Sequence, residues 1–145
     1  MEKLDQTSAY AQLAYLLLPE SMIFSYNVVN IELCELPKPD PLMTGWLKIY
    51  LEEKDLRDDA QRQSLKPNGF TEGHWFDDFP IRDRKVSLNV KRRRYINAEG
   101  HNVLLNNDSL VAEGTSYSAE FGAFLKEVYG ELPCDGPHRG ALIRD

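Results

Sequence analysis

The feature that most constrains the fold is a strand-like alternation that ends in four consecutive cations. Val86, Leu88 and Val90 alternate with polar residues, which predicts a β-strand with one buried face that begins near residue 84 and runs to residue 96. Because successive side chains of a strand point to opposite faces, the cations at 91–94 occupy both faces. Such a segment cannot continue into an apolar core, so it must meet solvent or an anionic surface.

The charge of the chain is strongly polarised along the sequence. The formal net charge is -6 at pH 7, which by itself disfavours a nucleic-acid partner, because phosphate contacts require cations. Within residues 82–94, however, seven cations stand against the single acid Asp83, a local balance of +6. Such a field can orient a small domain on an anionic partner. We call these cations the basic segment: Arg82, Arg84, Lys85, Lys91, Arg92, Arg93 and Arg94.

Helical patterns stand at both ends of the chain. Good helix formers and a Ser8 cap predict a helix over about residues 8–18, and Pro19 opens a second short helix. An amphipathic helix is predicted over about residues 117–129, entered through Ser116 or Ser118. Its apolar face belongs in a core or on a partner, and the aromatic members of that face are Tyr117, Phe121 and Phe124.

Strand patterns fill the middle of the chain. Period-two alternation at 27–34 places Val29, Ile31 and Leu33 on one face, and a second run covers 46–52. The two runs predict an antiparallel hairpin across a proline-rich loop. In the second run Leu47, Ile49 and Leu51 share one face, and Trp46, Lys48, Tyr50 and Glu52 share the other.

Turn signals complete the prediction of an α+β domain. Turns are expected at 67–69 and at 97–100, the second leading into a further hairpin, and short strand character returns at 110–111. The predicted fold has N-terminal helices, a small antiparallel sheet of about four to five strands and a C-terminal amphipathic helix. We expect one domain over residues 1–130 and a flexible tail over residues 131–145.

The sequence offers little for catalysis, metal binding or a membrane span. No apolar run approaches the roughly 20 residues that a membrane helix needs, and no secretory signal is evident, so a cytoplasmic protein is expected. Cys34 and Cys134 have no metal-ligand spacing, and no cofactor fingerprint is present, so neither a metal nor a cofactor is expected. A small enzyme using His74 with Asp77 or Asp78 is an alternative, although a polar loop is the expectation for that stretch.

The basic segment is the main candidate site. The planar fork of arginine suits phosphate oxygens and guanine edges, which favours DNA as the partner. The alternative is a solvated edge strand protected from aggregation by charge, with acids such as Asp58 and Asp59 neutralising the arginines internally.

Several strings resemble the N-terminal region of certain bacterial insertion-sequence transposases. The most specific are DFPIRDRKVSLNVKRRR at 78–94 and LVAEGT with EFGAFLKE at 110–115 and 120–127. Weaker similarity includes LLLPE at 16–20, and the resemblance covers about residues 10–129.

The resemblance implies a short upstream reading frame whose product recognises the ends of the element. The catalytic domain would then belong to a separate chain, so this chain is expected not to be an enzyme. The basic segment would contact DNA, and the catalytic transposase subunit and a second copy of the chain are further candidate partners. Residues 97–101 would form a hydrogen-bonded hairpin where distant relatives have a zinc ribbon. The alternative function is a protein–protein adaptor that uses the C-terminal helix or the Trp46 and Tyr50 face.

Overall fold

The computed structural model describes residues 3, 5, 6, 8–105 and 117–129. Within these residues seven strands form two sheets, of order β1-β2-β5-β4 and β3-β6-β7, and four helices accompany them. The predicted α+β class is therefore confirmed, with more strands than expected. The elements in chain order are α1 (Ala9–Tyr15), α2 (Glu20–Ile23), β1 (Tyr26–Cys34), β2 (Gly45–Glu53), α3 (Asp59–Ser64), β3 (Lys66–Phe70), β4 (His74–Ile81), β5 (Arg84–Lys91), β6 (Arg93–Ile96), β7 (Asn102–Val103) and α4 (Ala119–Tyr129).

The described residues form two compact units, each assembled from separate stretches of chain. The first unit draws on Met1–Asn30, Tyr50–His74 and Asn89–Asp108, and the second on Ile31–Ile49, Trp75–Leu88 and Ser109–Asp145. The expectation of one domain over residues 1–130 stays a prediction. The expected strand at 110–111 and the tail at 131–145 lie outside the described residues.

The N-terminal helices begin close to the predicted residues: Ser8 caps α1 as predicted, whereas Pro19, expected at the first helical position, is the N-cap of α2. The Ser8 hydroxyl accepts a hydrogen bond from the Ala11 N–H at 3.2 Å, which satisfies one free donor of α1. Ala11 is fully buried, whereas Leu16 and Phe24 are 78% and 82% exposed. Only part of the apolar surface of these helices therefore packs inward. No helix in the described ranges has the length and apolar character to cross a membrane.

The first two strands follow the predicted alternation unequally. In β2, Ile49 and Leu51 are each only 1% exposed, as the period-two pattern predicts. In β1 the expectation for Leu33 is wrong, because its side chain is 63% exposed, while Tyr26 and Val28 are fully buried. β1 lies at the edge of its sheet, so one side of the strand has no neighbouring strand to help cover it.

The single strand expected over residues 84–96 is in fact two strands in different sheets. The break falls at Arg92, whose N–H donates to the Thr71 hydroxyl at 3.0 Å, while the Thr71 N–H donates to the Arg92 carbonyl at 2.8 Å. The next N–H, that of Arg93, donates to a side-chain carboxylate of Glu53. These bonds replace the ladder of β5, and β6 then pairs with β3.

The turn expected at residues 67–69 is also wrong, because these residues lie in β3. β3 is an edge strand, where the missing N–H of Pro67 is tolerated. Its pairing with β6 shifts register between Pro67 and Phe70, and Gly69 has a φ of 74°, typical of a glycine bulge.

The hairpin expected around residues 97–100 is confirmed. β6 and β7 pair antiparallel, and Gly100 has a φ of 82° in the connecting turn. The Asn97 side-chain oxygen accepts hydrogen bonds from the N–H groups of Glu99 and His101 at 3.1 and 2.9 Å. Local side-chain bonds of this kind stabilise a tight turn.

The stretch expected to be a polar loop after Gly69 contains strand β4 from His74 onward, and both of its aspartates are buried. Asp77 is 8% exposed and accepts a hydrogen bond from the Ser87 hydroxyl at 2.7 Å. Asp78 is 6% exposed and accepts one from the Ser118 hydroxyl at 2.6 Å. Hydrogen bonds from the serine hydroxyls lower the cost of burying these carboxylates, which would be prohibitive for an isolated charge.

The C-terminal helix begins where a serine cap was expected. The Ser118 hydroxyl accepts a hydrogen bond from the Phe121 N–H at 3.1 Å, which caps α4. Tyr117 and Phe121 are buried together with Leu125, and the Tyr117 and Phe121 rings meet edge to face at 5.3 Å. Phe124, expected on the same face, is 46% exposed.

We expect Asp78→Asn to remove a pH dependence of stability. Burial raises the pKa of Asp78 above its ordinary value of 3.8, although the Ser118 hydrogen bond opposes the shift. The folded state therefore retains a proton that the unfolded chain has lost, so this group lowers stability as pH rises from about 3.8 through the raised folded-state pKa. Relative to the wild type, the asparagine variant should gain stability across that window and hold the gain at pH 7. Urea denaturation at a series of pH values measures the difference, and parallel stability curves would contradict it.

Candidate functional site

The basic segment is divided between structural and available cations. Glu53, at the end of β2, is 1% exposed, and its side-chain oxygen accepts the Arg93 N–H at 3.0 Å. The Arg93 guanidinium Nε in turn donates to the Glu53 carbonyl at 2.8 Å, and the Arg92 Nε lies 3.9 Å from the Glu53 carboxylate. Burial raises the pKa of Glu53, while the bond from Arg93 and the charges of Arg92 and Arg93 oppose that rise.

The three arginines at 92–94 are half-buried rather than projecting. The Arg93 guanidinium lies 4.9 Å from the centre of the Phe70 ring, a cation–π contact that adds to its bonds with Glu53. The Arg94 guanidinium lies beside Gly69, where an added Cβ would stand 3.6 Å from it. Internal neutralisation was one alternative from the sequence, but the acid concerned is Glu53, and Asp58 instead caps α3.

Three cations of the basic segment are exposed: Arg82, Arg84 and Lys91. In the described ranges none of the three forms an ion pair. Arg82 lies in the connection from β4 to β5 and has a φ of 58°. This is the left-handed region, which residues other than glycine adopt at a steric cost.

Lys85 belongs to a cluster that the basic segment alone does not reveal. Its ammonium lies 4.5 Å from the centre of the Trp46 ring, and the ammonium of Lys48 lies 4.3 Å from the same ring centre. Burial lowers the pKa of Lys85, and the like charge of Lys48 lowers it further. Two ammonium groups are thus held over one aromatic ring, and no described carboxylate forms an ion pair with either of them.

The Trp46 ring is fixed by a hydrogen-bonded relay across the sheet. Its indole N–H donates to the Ser87 hydroxyl at 2.8 Å, and that hydroxyl donates to Asp77 at 2.7 Å. The carboxylate of Asp77 therefore acts through Ser87 to orient the ring, because a hydroxyl that donates to the carboxylate presents its oxygen lone pairs to the indole.

These side chains line an open cleft of about 390 Å³, a volume typical of small-molecule sites. Trp75 forms another wall; it is 41% exposed, and its ring centre lies 5.6 Å from the Lys48 ammonium. We call this the tryptophan–lysine cleft; it is lined by Trp46, Lys48, Trp75, Phe76, Asp77, Lys85 and Ser87.

The residues of the alternative enzyme site, His74, Asp77 and Asp78, differ in their exposure to solvent. His74 is exposed at the start of β4, whereas Asp77 and Asp78 are buried and each receives a serine hydroxyl. Among the residues that the structure describes, no group of three or more histidine, cysteine, aspartate or glutamate side chains has the arrangement of a metal site.

Sequence reasoning identified Lys85 but missed its companions Lys48 and Trp75. The alternation in β2 placed Trp46 and Lys48 on one face, which was a usable signal. Trp75 was missed because its stretch was expected to be a loop. The relay through Ser87 depends on strands that only the folded chain brings together.

Replacing Glu53 should destabilise the protein more than replacing its neighbour. Glu53→Ala leaves the buried Arg93 N–H without its acceptor and the Arg92 guanidinium without its neighbouring carboxylate, so we expect a loss of about 2–4 kcal/mol in the free energy of unfolding. Glu52→Ala removes only a surface ion pair with Lys3 and should cost no more than about 1 kcal/mol. Chemical denaturation of the two variants measures the difference, and equal losses would contradict the anchoring role of Glu53.

Arg82→Gly should stabilise the protein although it removes a side chain. Glycine adopts a positive φ without steric cost, so we expect a gain of about 0.5–1 kcal/mol after the larger entropy of the unfolded chain is included. Arg84→Gly, inside β5, is the matched control and should lower stability by about 0.5–1 kcal/mol. A loss of stability in both variants would show that Arg82 is not strained.

No protein-family model, curated protein or solved structure matches this chain.

Proposed function

We propose that this protein is a non-catalytic DNA-binding domain. The observation that carries the proposal is the pair of ammonium groups, of Lys48 and Lys85, held over Trp46 without a described acidic partner. Like charges brought together and partly desolvated are costly, and a bound phosphate would relieve that cost.

The exposed cations extend this anion-binding character. Arg82, Arg84 and Lys91 are free of ion pairs within the described residues and are available for phosphate contacts. Together with Lys85 they make up four of the seven predicted DNA-binding residues. The other three, Arg92, Arg93 and Arg94, are assigned mainly to stability, because Arg92 and Arg93 neutralise a buried carboxylate and all three are half-buried.

Membership in an insertion-sequence transposase stays a prediction from the sequence resemblance. Under it, this chain would hold the ends of the element while a separate chain supplies the carboxylates for strand transfer. The DNA-binding proposal is independent of that assignment, because it follows from the distribution of cations and aromatic rings.

A protein–protein adaptor is the second candidate function. The observation that favours it is on α4. Two residues of its apolar face, Phe124 and Val128, are 46% and 55% exposed. The Phe124 ring also contacts Phe79 at 5.4 Å between ring centres, and Phe79 is itself 38% exposed. Exposed apolar side chains in one place are typical of an interaction surface.

The test is fluorescence anisotropy of a labelled duplex at about 50 and about 200 mM salt. The wild type should bind with an affinity that falls steeply as salt rises. The double variant Arg84→Gln/Lys91→Gln should bind more weakly, and the slope of log affinity against log salt should fall by about 2, one for each lost phosphate contact.

The matched control is Lys66→Gln/Lys126→Gln, which removes two exposed positive charges outside the basic segment. It should leave the salt slope nearly unchanged. An equal effect of the two double variants would mean that binding depends only on net charge, and it would refute the assignment of Arg84 and Lys91 as phosphate contacts. Absence of binding by the wild type at low salt would refute the DNA-binding proposal and favour the adaptor.

A further inference from the structure

The tryptophan–lysine cleft contains both tryptophans of the chain. The sequence has two, Trp46 and Trp75, and both line the cleft. They lie on different strands, β2 and β4. Neither ring is fully buried, although large aromatic side chains are usually among the best core-forming residues.

The two rings differ in how they are held. The hydrogen-bonded relay through Ser87 orients Trp46, and two lysines lie over its ring. Trp75 is 41% exposed, and its ring centre lies 5.6 Å from the Lys48 ammonium. An exposed ring beside a fixed one offers a π-face to a planar ligand, and stacking on such a face tolerates any base.

The lysines complete the complementarity to a nucleotide. A phosphate linked to a base on Trp75 would approach the Lys48 ammonium, which lies 5.6 Å from the centre of that ring, and Lys85 lies over the same Trp46 ring as Lys48. Single-stranded nucleic acid is recognised in this way, by aromatic platforms for bases beside cations for the backbone. A base within a duplex has both of its faces covered by neighbouring base pairs, so it cannot stack on Trp75 without leaving the helix.

We propose that the tryptophan–lysine cleft binds an unpaired nucleotide of DNA, with the base stacked on Trp75 and its phosphate bound by Lys48 and Lys85. This inference rests on the proposed DNA binding and specifies the form of DNA that the cleft takes. It assigns the exposed cations to duplex phosphates and the cleft to a single-stranded stretch.

Intrinsic tryptophan fluorescence tests the proposal without a label, because both fluorophores line the cleft. The full chain is titrated with a single-stranded oligonucleotide of mixed sequence and, separately, with a duplex of the same length. The single strand should quench the fluorescence saturably, and the duplex should bind with much less quenching.

Variants separate stacking from charge. Trp75→Ala should weaken single-strand binding roughly 5- to 150-fold, the range for the loss of one stacked base, and should change duplex binding less than about twofold. Trp75→Phe should restore part of the affinity. Lys48→Gln should lower the salt slope for the single strand by about 0.7.

Phe24→Ala is the matched control, because Phe24 follows the last residue of α2, is 82% exposed and does not line the cleft. It should leave both affinities unchanged. Affinities for labelled single strand and duplex are measured by anisotropy, and circular dichroism verifies that each variant is folded.

The outcomes distinguish this inference from the proposed function. Single-strand binding without quenching, together with no effect of Trp75→Ala, would overturn the inference, and duplex binding in the same experiments would leave the DNA-binding proposal standing. Absence of binding to either form of DNA would overturn both. A larger loss for the single strand than for the duplex in Trp75→Ala, with partial rescue by phenylalanine, would support the inference.

Discussion

A buried carboxylate at the end of β2 organises the first unit. Glu53 accepts the backbone N–H of Arg93 and faces the guanidinium of Arg92. Burial of an unsatisfied carboxylate would cost several kcal/mol, so the chain must supply donors at this point. The donors come from the junction of β5 and β6, which is why the strand breaks there and changes sheets.

This constraint also decides which cations are available to a ligand. The densest part of the basic segment is drawn toward Glu53, so a run of arginines that looks like a DNA contact serves the fold first. The available charge is instead spread over Arg82, Arg84, Lys85 and Lys91. With a net charge of -6 on the whole chain, long-range attraction to DNA is weak, so the proposed DNA binding depends on a few well-placed contacts.

Local patterns predicted the elements whose causes are local. The burial of Ile49 in β2 and the Ser118 cap of α4 follow from spacing within a few residues. Strand β4 was missed because its buried carboxylates depend on hydroxyls far along the chain: Ser87 lies 10 residues after Asp77, and Ser118 lies 40 residues after Asp78. A sequence shows two acidic residues and suggests a loop, whereas their burial depends on donors that only folding brings near.

The geometry of the tryptophan–lysine cleft supports the proposal that it binds a ligand. The relay through Ser87 fixes Trp46 before any ligand arrives, and the cation–π contacts restrict the ammonium groups of Lys48 and Lys85 to the ring. A preorganised site loses less conformational entropy on binding than a flexible one, so more of the interaction energy appears as affinity. The cost is borne by the free protein, in which two like charges stay close together and Trp75 stays partly in water. An anionic planar ligand would relieve both costs at once. Its charge would neutralise the ammonium groups, and its ring would cover the exposed face of Trp75.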